Sequence, residues 1–195
     1  MKIMNSLHDN LLKLYQASFR QSCDATCGPA SIILATASLG LEQKQESEWV
    51  SSGFARWMPV NQFLERGMAL HELQFISELI YGKKLDIVAR RSYPENFPQF
   101  LNDIRCSFEQ NNSVIIVNYL QDDFVHTTPA ATGNPHYSPV VDWDKINHKI
   151  LIADVDPAIL EPYWVNIADI YQSMTHCNPA FNIPRGWLVL HKREA

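Results

Sequence analysis

The chain has 195 residues, 46% of them apolar and 19% charged. This is the composition of an ordinary globular chain of one-domain size, long enough to bury a core without staples, and it excludes disorder as the default. The net charge is −5, and basic residues cluster only briefly, at Lys83-Lys84, Arg90-Arg91 and Lys192-Arg193. Nucleic acid is therefore not expected as a partner, because phosphate binding needs a concentrated basic surface. Four cysteines, Cys23, Cys27, Cys106 and Cys177, are too few for a disulfide scaffold. The Cys23–Cys27 step, with no second pair, matches structural zinc poorly.

In chain order, Ser6–Ala17 carries Leu7, Leu11, Leu14 and Tyr15 on one side. That pattern predicts an amphipathic helix rather than a signal peptide. No stretch approaches the roughly 18 apolar residues of a membrane span. A soluble, cytoplasmic protein is the expectation, with export lacking an N-terminal signal left open. A polar loop, Phe19–Thr26, leads to the apolar run Cys27–Ala37, with Pro29 in its first turn and Gly40 as its stop. These signals predict a central helix. Glu42–Pro59, with Trp49, Phe54 and Trp57, fits neither period. Helices are predicted over Ala69–Tyr81, closed by Gly82, and over Tyr93–Glu109, with a short strand at Leu85–Ala89 between them.

The second half changes character. Ser113–Leu120 reads as a buried strand. The long aperiodic segment Gln121–Pro135 follows, and such loops are usually functional. His136–Trp143 and Lys149–Val155 read as strands joined across Asp144–His148, Val165–Met174 as a helix, and Trp187–His191 as the last strand. Helices first and consecutive strands last predict one α+β domain, residues 1–195, with an antiparallel sheet.

Cys27 stands at the start of the apolar helix. The partial positive charge and open N–H groups there favour a thiolate, the attacking species. Gly28 beside it leaves room for a substrate backbone. A buried core cysteine is the bland alternative. A cysteine nucleophile needs a base, and His136 opens a strand just after the long loop, where its ring can face a cleft. Asp154 ends the apolar strand Leu151–Val155, where a carboxylate is costly unless paired. A hairpin of the two strands would bring His136 and Asp154 to the same end, so that the carboxylate fixes the tautomer of the ring. Gln21, ahead of Cys27, could donate to an oxyanion together with the Cys27 N–H. Separately, each of these residues is more often a cap, a turn residue or a loop amide.

Taken together, these segments resemble the phytochelatin synthase family, a branch of the papain-like cysteine peptidases. The resemblance spans about Gln16 to Lys192. It is carried by Gln21, Thr26–Ile33 with Leu39-Gly40, Arg66–Leu70, Val114–Leu120, His136-Tyr137-Ser138-Pro139, Leu151–Val155, Pro162–Val165 and Arg185-Gly186-Trp187. It implies a papain-like fold with Cys27 as nucleophile, His136 as base, Asp154 as orienting acid and Gln21 at the oxyanion. It also places Gly28, Ser138 and Arg185 against the substrate. The implied activity is cleavage of the Cys–Gly bond of glutathione, with the γ-glutamylcysteinyl group passing to water or to a second glutathione. No cofactor is required on this reading. Zinc or cadmium would stimulate only as thiolate complexes of the substrate, and the partner is a small thiol peptide, with a homodimer possible.

One stretch departs from the family pattern. Where the family carries an Arg and then Lys-Tyr-Pro-Pro after its Asp, this chain has Pro157 and Ile159 at the cationic positions and gains Asp156 and Glu161. Carboxylates of a substrate need cationic partners. Hydrolysis is thus expected over chain-building transfer. The alternatives are a protease acting on a protein, a peptide or a glutathione conjugate, and an inactive binding module.

Overall fold

The computed structural model describes residues 6–17, 19–50, 59–125 and 134–193. Phe54, Trp57 and most of the long loop before His136 lie outside them. A six-stranded antiparallel sheet runs in the order β1 (Leu85–Arg91), β8 (Gly186–Lys192), β2 (Ser113–Leu120), β3 (Pro135–Asp144), β4 (Lys149–Ile152) and β5 (Tyr163–Asn166). The last strand of the chain is inserted between the first two. The α+β class with an antiparallel sheet is as the element order predicts.

Helices cover both faces of the sheet, and the strands show it residue by residue. Along β2, Val114 and Ile116 enter the core under the N-terminal helices. Ile115, Val117 and Tyr119 enter the opposite core. Side chains alternate across a strand, so a strand buried on both faces must be apolar at every step. The first core holds α1 (Leu7–Gln16), α2 (Cys27–Ser38) and α4 (Leu70–Tyr81). The second holds α5 (Phe97–Gln110) and α6 (Ile167–Met174). In α2 every residue from Cys27 to Thr36 is buried, which explains why its sequence has no polar face.

Helix ends follow local chemistry. Ser6 and Asp9 form a reciprocal capping box on α1. Asn111 closes α5 in the left-handed region at φ 53°, where Asn is tolerated better than most residues. Its side chain then accepts from the Leu7 N–H at 2.8 Å, tying α5 to the start of α1.

Several expectations need correction. The Val165–Met174 segment is not all helix: β5 occupies Tyr163–Asn166 and pairs with β4, and the helix starts at Ile167. Tyr, Trp and Val favour a pleated strand, and sheet pairing decided the boundary. The helix α3 (Val60–Arg66), ended by Gly67, and the small hairpin of β6 (Cys177–Asn178) and β7 (Ile183–Pro184) were not anticipated. Leu14, Phe75 and Leu79 point outward, whereas His8 is buried in α1, stacked on Phe108.

One backbone contact tests this packing. Gly186 opens β8 where β1 passes so close that a Cβ would lie 1.9 Å from the Arg90 carbonyl oxygen. Gly186→Ala is expected to cost about 3–5 kcal/mol, the upper range for single substitutions, because the obstacle is backbone. Denaturant unfolding of the variant would measure it.

Candidate active site

Two features hold the start of α2. Ahead of Cys27, the Thr26 hydroxyl donates to the Cys23 carbonyl at 2.8 Å and accepts from the Cys23 N–H at 3.1 Å, closing a tight 3-10 turn. Further in, the buried Ser31 hydroxyl donates to the Tyr137 carbonyl at 2.9 Å. This last bond joins α2 to β3 one residue from His136. Gly28 allows the close approach: a Cβ there would sit 3.0 Å from a Leu73 methyl and 3.4 Å from the Tyr137 ring.

On the sheet side, β3 and β4 pair as a hairpin with a register shift between Val140 and Asp142, and the Ala153 N–H continues the ladder to Pro139. The hairpin brings His136 and Asp154 to the same end. His136 Nε2 lies 2.7 Å from Asp154 Oδ1. The same ring faces the Cys27 side chain, which acts on it electrostatically. Sulfur, imidazole and carboxylate thus meet at the junction of α2 and the sheet. His136 is 2% exposed and Asp154 fully buried.

A bare buried carboxylate would be prohibitive, and Asp154 is not bare. Oδ1 also accepts from the Asp156 N–H at 3.0 Å. Oδ2 accepts from the Tyr163 hydroxyl at 2.8 Å, the Gln121 amide at 3.0 Å and the Tyr119 hydroxyl at 3.1 Å. Burial works against ionisation of Asp154, but the His136 charge and these donors outweigh it and hold the carboxyl well below its usual range. Burial likewise opposes a charged His136. The charge and hydrogen bond of Asp154, with Cys27, overcome it and push the imidazole above its ordinary value.

Cys27 opens onto a cleft walled by Asp24, Leu64, Arg66, Met68, Asn118, Asn134 and Tyr137 among others. Tyr137 is fixed by its hydroxyl, which donates to the Met68 carbonyl at 3.1 Å. Arg66, on this wall, makes a two-pronged pair with Glu72 at 2.6 and 2.8 Å.

The remaining expected residues sit as follows. Gln21 is buried and its N–H donates to the Val155 carbonyl at 2.8 Å, beside Asp154. Gly28, Ser138 and Arg185, expected against the substrate, do not line the cleft. The space Gly28 frees is filled by Leu73 and Tyr137. Ser138 is fully buried behind the His136–Asp154 pair, its hydroxyl 3.1 Å from that of Tyr119. Arg185 is buried too and donates to the His176 and Cys177 carbonyls at 2.7 and 3.2 Å, bracing the small hairpin.

Tyr119, Gln121 and Tyr163 escaped the sequence reading. Tyr119 hides within a largely apolar buried strand, and only the strand order brings Tyr163 to it. Among the described residues, no group of three or more His, Cys, Asp or Glu side chains could hold a metal ion. None of their helices is long and apolar enough to cross a membrane.

The model of the phytochelatin synthase family matches residues 2–187. The chain belongs to the phytochelatin synthase family. It is 25% identical over 192 residues to a glutathione gamma-glutamylcysteinyltransferase of Schizosaccharomyces pombe, covering 93% of this chain and 43% of that protein. It is 20% identical over 201 residues to glutathione gamma-glutamylcysteinyltransferase 1 of Lotus japonicus, covering 97% and 37%. This phytochelatin synthase family member thus spans less than half the length of these relatives. A putative C39-like peptidase from Bacillus anthracis shares the fold, with a TM-score of 0.52 and 15% identity over 93% of this chain and 98% of that one. The fold is therefore papain-like.

The opposed pKa shifts give a pH prediction. Asp154, depressed from 3.8, contributes stability above that pH and loses it as pH falls further. His136, raised from 6.5, contributes fully below 6.5 and loses it as pH rises toward its folded value. Melting temperature should therefore decline above pH 6.5 in the parent protein. In Asp154→Asn, which removes the charge that raises His136, that decline should be smaller across a pH series of thermal melts.

Proposed function

We propose that the protein is a cysteine-dependent enzyme that releases glycine from the Cys–Gly bond of glutathione or a similar thiol peptide, with water favoured over a second glutathione as acceptor. The observation that carries this is the buried His136–Asp154 pair, with Cys27 at a helix N-terminus beside the same ring. The names of the relatives support glutathione as acyl donor.

The chemistry follows from the arrangement. The Cys27 thiolate, its proton already resting on His136, attacks the peptide carbonyl. The Cys27 N–H and the Gln21 amide stabilise the oxyanion. Imidazolium then protonates the leaving glycine nitrogen as the C–N bond breaks, leaving a γ-glutamylcysteinyl thioester on Cys27. Water, deprotonated by His136, attacks the thioester, and the acid product leaves as the thiol is restored. Asp154 remains ionised throughout and holds the ring.

A second reading keeps the chemistry and changes the substrate to a protein, a peptide or a glutathione conjugate. It is favoured by the charges around the cleft: Arg66 is already engaged by Glu72, Asp24 and Glu65 share the same wall, and Pro157 and Ile159 stand where the family pattern has cations.

Incubation with glutathione, with and without zinc or cadmium, followed by mass analysis separates the outcomes. Glycine with γ-glutamylcysteine supports the hydrolase, longer oligomers a synthase, and no product the second reading. Cys27→Ala and His136→Ala should abolish glycine release. Asp154→Ala should lower it by about 10²-fold or more. Gln21→Ala should lower kcat by about 10²-fold with KM little changed. Full activity in Cys27→Ala would remove the nucleophile.

A further inference from the structure

We propose that Tyr119, Tyr163 and Gln121 form a three-donor clamp on Oδ2 of Asp154, which keeps Oδ1 aimed at His136, and that Tyr163 and Gln121 act as positioning residues for the reaction. The proposal rests on the reading of Cys27, His136 and Asp154 as a triad and deepens it.

A carboxylate on a short side chain rotates easily, and each rotation moves both oxygens. With the His136 contact alone, little would fix Oδ1. Three donors converge instead on the other oxygen, and each comes from a different part of the fold: Tyr119 from β2, Gln121 from the turn after it, Tyr163 from β5. The two phenols are also 2.8 Å apart, and Tyr119 has Ser138 behind it. The Asp156 N–H completes Oδ1. With both oxygens saturated, the carboxylate has no room to turn.

Gln121 has a second connection. Its amide nitrogen donates to both Asp154, at 3.0 Å, and Asp156, at 3.2 Å. Its oxygen accepts from the Asn134 amide at 3.2 Å. Asn134 lines the cleft, two positions before His136. The clamp therefore joins the carboxylate to the cleft wall through one neutral side chain. An amide donates whatever the pH, so the link to two acids does not titrate away. A carboxylate in the same place would face Asp154 and Asp156 as a like charge.

The titratable groups facing the pair are few. Asp154 is surrounded by His136 of β3, Tyr119 of β2, Tyr163 of β5, its neighbour Asp156 and, by its charge alone, Tyr15 of α1. The His136 ring meets Cys27 of α2, Asp154 and the edge of the Tyr119 ring. Burial raises both clamp phenols, Tyr119 and Tyr163, with the Asp154 charge adding to it, so they remain protonated donors through the neutral range.

The test needs no substrate. Iodoacetamide alkylation of Cys27 is followed against pH by peptide mapping, which separates it from the exposed Cys23 and Cys177. The His136 ring titration is read by NMR. In Tyr163→Phe and Gln121→Met, the freed carboxylate turns Oδ1 away from the ring, which should lower the His136 midpoint by about one pH unit, or tenfold in proton affinity, and move the alkylation profile with it. A packing role alone would lower the melting temperature and leave both profiles in place, and that result in folded variants overturns the clamp. Should Tyr163→Phe fail to fold, Gln121→Met carries the same test. If alkylation of Cys27 in the parent protein ignores His136→Ala, the triad reading itself has failed, which the variant profiles alone would not produce.

Discussion

The arrangement depends on one buried ion pair. His136 and Asp154 lie between the sheet and its covering helices, where an unpaired charge would be very costly. The pair persists because five donors converge on one carboxylate, and they come from β2, the turn after it, β3, β5 and the backbone of Asp156. The strand order is what makes this possible. With β2 beside β3 and β5 beyond β4, Tyr119 and Tyr163 reach the same oxygen although the chain separates them widely.

The second requirement is that the sulfur reach the ring. Here the N-terminal helices matter. α2 is apolar on all sides because it is packed on every side, and its depth is set by two small features. Gly28 lets Leu73 and Tyr137 close against the helix, and Ser31 bonds the strand that carries His136. Gly28 thus serves the packing of α2 against the sheet. The hydroxyl and the missing side chain together place the start of the helix, and with it Cys27, next to the imidazole.

Much of this could be read in the sequence, for identifiable reasons. Helices α1, α4 and α5 have clear periods, α2 is an apolar run closed by Gly40 as α4 is by Gly82, and β2 carries an apolar run from Val114 to Val117. Cys27, His136 and Asp154 were legible because each sits at the boundary of a strong element, and because a carboxylate at the end of an apolar strand demands a partner. What the sequence hid depends on tertiary pairing. β5 looks like the first turn of a helix until β4 binds it. Tyr119 looks like another core residue. Gln121 stands at the start of a loop with no pattern. Ser138 and Arg185 seemed suited to a ligand by their place in family motifs. Both are buried, one behind the His136–Asp154 pair and one bracing the small hairpin.

The central claim is that acyl transfer passes through the Cys27 sulfur. It is tested most directly by acid-quenching the protein during turnover of glutathione and mapping the adduct by mass. The account predicts a γ-glutamylcysteinyl group, labile to hydroxylamine as a thioester, on the peptide that contains Cys27. Glycine released with the adduct on another residue, or with none trapped at Cys27 under conditions that preserve thioesters, would contradict it.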